Sequence, residues 1–101
     1  MTIQTSIRGD TVYVKIDGAI DTDGGAKLSA EFQNIIAQAG ILHGEFDLRE
    51  VPSITSAGIG KLLKLFKHFD KRGGSMKISG ITQSLKEQFE EIHLNQIIPI
   101  V

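Results

Sequence analysis

No cysteine occurs among the 101 residues. Disulfides, thiolate metal sites and cysteine nucleophiles are therefore excluded, and a reducing compartment is compatible with the composition. No apolar run approaches the roughly 20 residues that a bilayer-spanning helix needs. The start, Met1-Thr2-Ile3-Gln4-Thr5, lacks the basic segment and apolar stretch of a signal peptide. A cytoplasmic protein without direct membrane insertion is expected. An excess of one charge is also missing: 11 Lys and Arg stand against 12 Asp and Glu, for a net charge of -1. Nothing global draws the chain to nucleic acid or anionic lipid. There is no Gly-x-x-x-x-Gly-Lys-Ser/Thr loop, and His43, His68 and His93 lie too far apart for a His-x-x-x-His metal site. No metal and no cofactor are expected. Internal repeats, linkers and low-complexity segments are absent as well.

A hydrophobic fraction of 41% and a charged fraction of 23% are those of a folded protein rather than a disordered one. The length fits one domain, residues 1–101, with a modest core. Thr2 to Ile7 alternates weakly, Arg8-Gly9-Asp10 supplies a turn, and Thr11 to Ile16 alternates clearly with Val12, Val14 and Ile16 on one face. Together these segments predict a hairpin. The loop Asp17 to Asp23 is rich in capping residues, and Asp21, Thr22 or Asp23 suits the start of a helix. Leu28, Phe32, Ile35, Ile36 and Ala39 follow at helical spacing, and Gly40 ends that helix. Glu45 to Leu48 reads as a short strand, closed off before Pro52. A second helix is expected from about Ala57 to Lys71, with Ile59, Leu62, Leu63, Phe66 and Phe69 inward, stopped by Gly73-Gly74. Met76 to Ile78 reads as a strand. A third helix follows from about Ser84 to Ile92, with Leu85, Phe89 and Ile92 inward and Ser84 and Glu87 at capping-box spacing. Ile97 to Val101 reads as a last strand. The order β-β-α-β-α-β-α-β implies an α/β fold: a mixed, mainly parallel sheet of about five strands with helices packed on it.

The segment richest in chemistry is Phe46-Asp47-Leu48-Arg49-Glu50-Val51-Pro52-Ser53-Ile54-Thr55-Ser56-Ala57-Gly58-Ile59-Gly60-Lys61-Leu62-Leu63. A strand feeds a loop, and the loop feeds a helix that opens on Thr-Ser-Ala-Gly. Free N–H groups and the positive end of the helix dipole meet there, so a phosphate is well accommodated. Phosphorylation of Ser56 need not disrupt the fold, and it would add about -1.5 to -2 charge. A capping role alone for Thr55 or Ser56 is the simpler reading of the same residues. Gly58 and Gly60 either let the helix approach its neighbours closely, the commoner use, or leave its start bare for a partner. Lys61, Lys64, Lys67, Lys71 and Arg72 give the helix a basic face, either a solvated surface or a docking face for an acidic partner. That patch is small and lacks stacking aromatics, so no nucleic acid is expected. Ser56 has no evident His base, and Asp47 is expected within the sheet. An enzyme is therefore not expected.

In their order along the chain these motifs resemble the STAS family, and specifically its anti-sigma factor antagonists. Asp47-Leu48, then Val51, then Ile54-Thr55-Ser56-Ala57-Gly58-Ile59-Gly60 resembles the family's Asp-Leu strand followed by Asp-Ser-Ser-Gly-Leu-Gly at a helix start. Gly18-Ala19-Ile20-Asp21 is similar to its Gly-x-Leu-Asp loop. Gly73-Gly74, and Ile81-Thr82-Gln83-Ser84-Leu85-Lys86 with Phe89 and Leu94, are similar to its second half. The resemblance implies a protein that binds an anti-sigma factor with serine-kinase activity while unphosphorylated. It implies that the kinase disables it at Ser56, with Thr55 as second choice, and that a PP2C-type phosphatase restores it. The partner-binding residues implied are Asp21, Ile54, Thr55, Ser56, Ala57, Gly58, Ile59, Lys61 and Lys64. Two departures stand out. Thr55 replaces the family's acidic residue before the acceptor, and the usual last helix is lacking after Val101. They leave open an alternative, a constitutive STAS adaptor subunit of a transporter or signalling complex.

Overall fold

The computed structural model describes residues 1–38 and 40–101. The alternation of small polar and β-branched residues at the start produces strands β1 (Thr2–Arg8) and β2 (Thr11–Asp17), joined by a two-residue turn at Gly9-Asp10. Helix α1 (Thr22–Ile36), strand β3 (His43–Glu50), helix α2 (Ser56–Lys71), strand β4 (Ser75–Ile81) and helix α3 (Gln83–Glu91) follow. A 3-10 turn at Leu94–Gln96 comes after α3. The sheet order is β1-β2-β3-β4, with β1 antiparallel to β2 and the remaining pairs parallel. The fold class is the expected α/β one with a mixed, mainly parallel sheet.

One face of the sheet is the core face. Val12, Val14 and Ile16 of β2, Phe46 and Leu48 of β3, and Met76 and Ile78 of β4 all point into it and are 2% exposed or less. The two parallel crossovers, β2-α1-β3 and β3-α2-β4, have one hand and so set their helices on one side. Leu28, Phe32 and Ile35 of α1, Leu62, Leu65 and Phe69 of α2, and Leu85 and Phe89 of α3 close over that side. The opposite face carries Tyr13, Lys15, Glu45, Asp47 and Lys77, all half-buried or exposed.

Several boundaries and faces differ from expectation. Strands β3 and β4 run longer than Glu45–Leu48 and Met76–Ile78, because register with β2 extends pairing past the purely apolar positions. Leu65, which was not expected inward, is buried in α2 together with Leu62 and Phe69, while Ile59, Leu63 and Phe66 are half-buried. Helix α3 starts one residue early: Thr82 caps it, accepting from Leu85 N–H at 3.2 Å, in place of a Ser84–Glu87 box. Glu87 instead accepts from Gln83 Nε2 at 3.3 Å. Ile92 is the C-cap and 49% exposed rather than inward. Ile97 to Val101 forms no full strand. Ile78 and Ile100 make an isolated parallel bridge, with Ile78 N–H donating to Pro99 O and Val101 N–H to Ile78 O. Pro99 has no N–H to extend that pairing. Helix α1 ends at Ile36, Gly40 has φ 90°, and the inward position expected for Ala39 lies outside the described residues.

Candidate functional site

The site is built on one small bridge between two loops. Ile20, after β2, pairs with Ile54, after β3. Ile20 N–H donates to Ser53 O and Thr55 N–H to Ile20 O, both at 3.0 Å. Both isoleucines are buried, and Gln88 of α3 donates from Nε2 to Ile54 O at 3.2 Å. The next residue on each bridged segment is a helix cap. Asp21 Oδ1 accepts from Gly24 N–H at 2.8 Å, and Thr55 Oγ1 accepts from Gly58 N–H at 3.3 Å. The bridge therefore sets the N-termini of α1 and α2 side by side on one rim, where their dipoles add to a positive potential.

Ser56 is the first helical residue of α2 and is exposed. Among the described residues no side-chain hydrogen bond engages it, and the N–H groups of Ser56 and Ala57 have no protein acceptor. The hydroxyl of Thr55, by contrast, is held as the cap. The first turn of α2 contains no acidic residue, whereas α1 brings Asp21 and Asp23 to the rim.

Gly58 decides how closely α2 seats. A Cβ there would overlap the Ile20 carbonyl oxygen and lie 2.8 Å from Ile54 Cγ1. Close packing is thus the role of Gly58, while Gly60 faces open space. Of the residues singled out from sequence, Asp21, Thr55, Ser56 and Ala57 are exposed on the rim. Ile54 and Gly58 lie beneath it, and Ile59 is half-buried. Lys61 and Lys64 sit further along α2, on a groove of about 320 Å³ between α1 and α2 whose floor includes Phe32, Ile36, Leu65 and His68. Ile20 and Gln88, which hold the bridge, were not expected as site residues. Two sequence signals touch Ile20: it is an apolar residue in a polar loop, and it stands at the Leu position of the Gly-x-Leu-Asp resemblance.

Two titrations near this architecture have clear causes. Arg49 chelates Asp47 through Nε and Nη2, the latter at 2.7 Å, and holds its carboxyl below the usual range. His68 packs edge-on against Phe32 and Phe69, and burial together with the neighbouring Arg72 pushes its pKa down. Arg72 Nη1 lies 2.9 Å from His68 Nδ1, so this nitrogen accepts and the ring is neutral.

A strand-loop-helix rim on a half-open mixed sheet is the arrangement of a STAS domain. The family model of that domain matches residues 2–101, and the chain belongs to that family. Its fold is shared by an anti-sigma factor antagonist from Mycobacterium paratuberculosis, with TM-score 0.83 and 16% identity over 98% of this chain and 83% of that one. The Bacillus cell fate determinant SpoIIAA, solved in its phosphorylated form, has TM-score 0.76 and 15% identity over 99% of this chain and 91% of that one. The murine anion transporter Slc26a9 contains a similar fold, with TM-score 0.78 and 12% identity over 94% of this chain and 16% of that one. At these identities the likeness concerns the fold. No helix among the described residues is long and apolar enough to cross a membrane.

Proposed function

We propose that this chain is a cytoplasmic, non-enzymatic anti-sigma factor antagonist, acting as one domain over residues 1–101 and switched by phosphorylation of Ser56. Unphosphorylated, it binds an anti-sigma factor with serine-kinase activity through the rim of Asp21, Thr55, Ser56 and Ala57. Ile54, Gly58 and Ile59 shape that rim from below, and Lys61 and Lys64 extend it. The kinase transfers a phosphoryl group to Ser56 and thereby ends binding, and a PP2C-type phosphatase reverses the modification. Sigma-factor-dependent transcription follows the unphosphorylated fraction.

The observation that carries this reading is the exposed hydroxyl of Ser56, which has no side-chain partner among the described residues and stands at a helix N-terminus whose first N–H groups lack acceptors among them. A phosphate there is stabilised locally by those N–H groups and the dipole. It also puts about -1.5 to -2 charge beside Asp21 and Asp23, enough to repel an acidic surface or block a close apolar fit. Thr55 is the weaker acceptor, since its hydroxyl is spent on the Gly58 N–H.

Affinity capture from lysate of the native host tests the proposal. Wild type and Ser56→Ala should retain an ATP-binding kinase, and Ser56→Asp should not. Equal capture by all three would remove the switch. A membrane transport complex retained by all three would favour the constitutive adaptor, a reading to which the fold likeness with Slc26a9 lends support.

A further inference from the structure

The two edges of the sheet are finished differently. At β4 the edge is covered by residues 99–101 through the hydrogen bonds to Ile78. At β1 nothing among the described residues pairs outside, and its sheet neighbour there is β2. Open edges are commonly protected by proline, lysine, bulges or short length. Strand β1 has seven residues, Thr-Ile-Gln-Thr-Ser-Ile-Arg, with no proline, no glycine and one charge at its very end. Its pairing with β2 runs without a bulge from Thr2 to Arg8.

The hairpin settles which backbone groups face outward. Arg8 and Thr11 flank the two-residue turn, in which Gly9 has φ 62°. Such a flanking pair exchanges both hydrogen bonds, and the pattern then alternates. Thr2, Gln4, Ser6 and Arg8 accordingly bond to β2, which leaves the N–H and C=O groups of Ile3, Thr5 and Ile7 on the open edge. The parity agrees on the far side of β2, where Gly18 N–H bonds toward β3 at Glu50 O. The side chains of Ile3, Thr5 and Ile7 lie on the core face, opposite Ile16, Val14 and Val12. That core is thin at this edge: Ile7 is 40% exposed and Thr5 is exposed.

The geometry points to a second copy of this chain as the occupant of the β1 edge, paired antiparallel about a two-fold axis through Thr5. A two-fold interface must be self-complementary, and this strand is. Ile3 meets Ile7 of the second copy at each end, Thr5 meets Thr5 at the centre, and all the outward backbone groups find partners. The single charge fits too. Arg8 of each copy lies opposite Thr2 of the other, and Asp17, the β2 neighbour of Thr2, stands one strand further on the same face. Two strand spacings are roughly 9.6 Å, within the combined reach of Arg and Asp side chains. Any one-residue slip would set the isoleucines against the polar face. The result is a continuous eight-stranded sheet with a small interface, hence a weak, concentration-dependent dimer. Thr2 and Asp17 stand at the end of the sheet that carries Ile20 and Asp21, so antiparallel pairing directs the two Ser56 rims to opposite ends. Resting on the proposed function, this makes the dimer a bivalent module; the pairing itself does not depend on that reading.

Sedimentation equilibrium of the full chain, from about 10 μM to about 1 mM, tests the pairing over the range of weak association. The mass should rise from 11.0 kDa toward twice that value. Thr5→Pro removes an outward N–H and should stay at the monomer mass. Thr5→Lys sets like charges opposite each other and should raise the dissociation constant about tenfold or more. Amide hydrogen exchange gives a readout that needs no variant. Protection of Ile3, Thr5 and Ile7 should grow with concentration, while that of Gln4 and Ser6 stays constant. A wild type monomeric throughout, a dimer unaffected by Thr5→Lys, or concentration-dependent protection without this alternation would overturn the inference.

Discussion

Replacing Gly58 by alanine isolates the contact on which the rim depends. In a helix interior the change is favourable by up to about 1 kcal/mol, because alanine loses less backbone freedom than glycine. Here the added methyl meets the Ile20 carbonyl and Ile54 Cγ1, both fixed by the bridge and by core packing. Overpacking of this kind costs about 1–3 kcal/mol. Relief requires α2 to move off Ile20, which weakens the 3.0 Å bond from Thr55 N–H and costs about 1 kcal/mol more. The balance is a net loss of about 1–3 kcal/mol after the propensity gain. For a domain of this size that corresponds to a fall in Tm of roughly 5–20 °C. The control is two residues away. Gly60→Ala adds its methyl to open space and should gain up to about 1 kcal/mol. Urea unfolding followed by circular dichroism measures both variants. Equal stability of Gly58→Ala and Gly60→Ala would refute the close-approach argument.

Thr55→Ala removes the cap of α2 and should cost about 1 kcal/mol in urea unfolding, while leaving Ser56 as acceptor. Loss of all phosphate from a folded Thr55→Ala protein would move the acceptor to Thr55. His68 predicts a pH effect. Its folded pKa is lowered from the ordinary 6.5 by burial and by Arg72. The unfolded chain therefore takes up the proton first as pH falls, and stability present above 6.5 declines below it until the folded-state value is reached. His68→Gln should flatten that part of the stability profile, and an unchanged slope would refute the assignment.

Much of this architecture can be read directly from residue types, because strong periodicity reports burial. Val12, Val14 and Ile16 identify their strand and its inner face without ambiguity. Helical spacing placed the start of α2 at about Ala57, one residue from the observed Ser56, and the resemblance of the Ile54–Gly60 segment singled out Ser56, which is exposed. Features set by tertiary contact were less legible. Leu65 lies one position from Phe66 and two from Leu63, and only the angle at which α2 meets the sheet and α1 selects it over them. Thr82 displaces Ser84 as a cap because β4 runs on to Ile81, leaving Thr82 at the junction. Pro99 interrupts a segment whose composition otherwise spells a strand. The Ile20–Ile54 bridge joins residues 34 positions apart, a separation no local pattern reports, yet it is what brings Asp21 beside Thr55.

The central claim is that Ser56 carries a reversible phosphate. Intact mass and peptide mapping of the protein isolated from its native host, with and without phosphatase treatment, test it most directly. The account predicts a phosphatase-sensitive phosphate on the peptide containing Ser56, localised to that residue and varying with growth conditions. A chain unmodified at Ser56 under every condition in which it is expressed would contradict it.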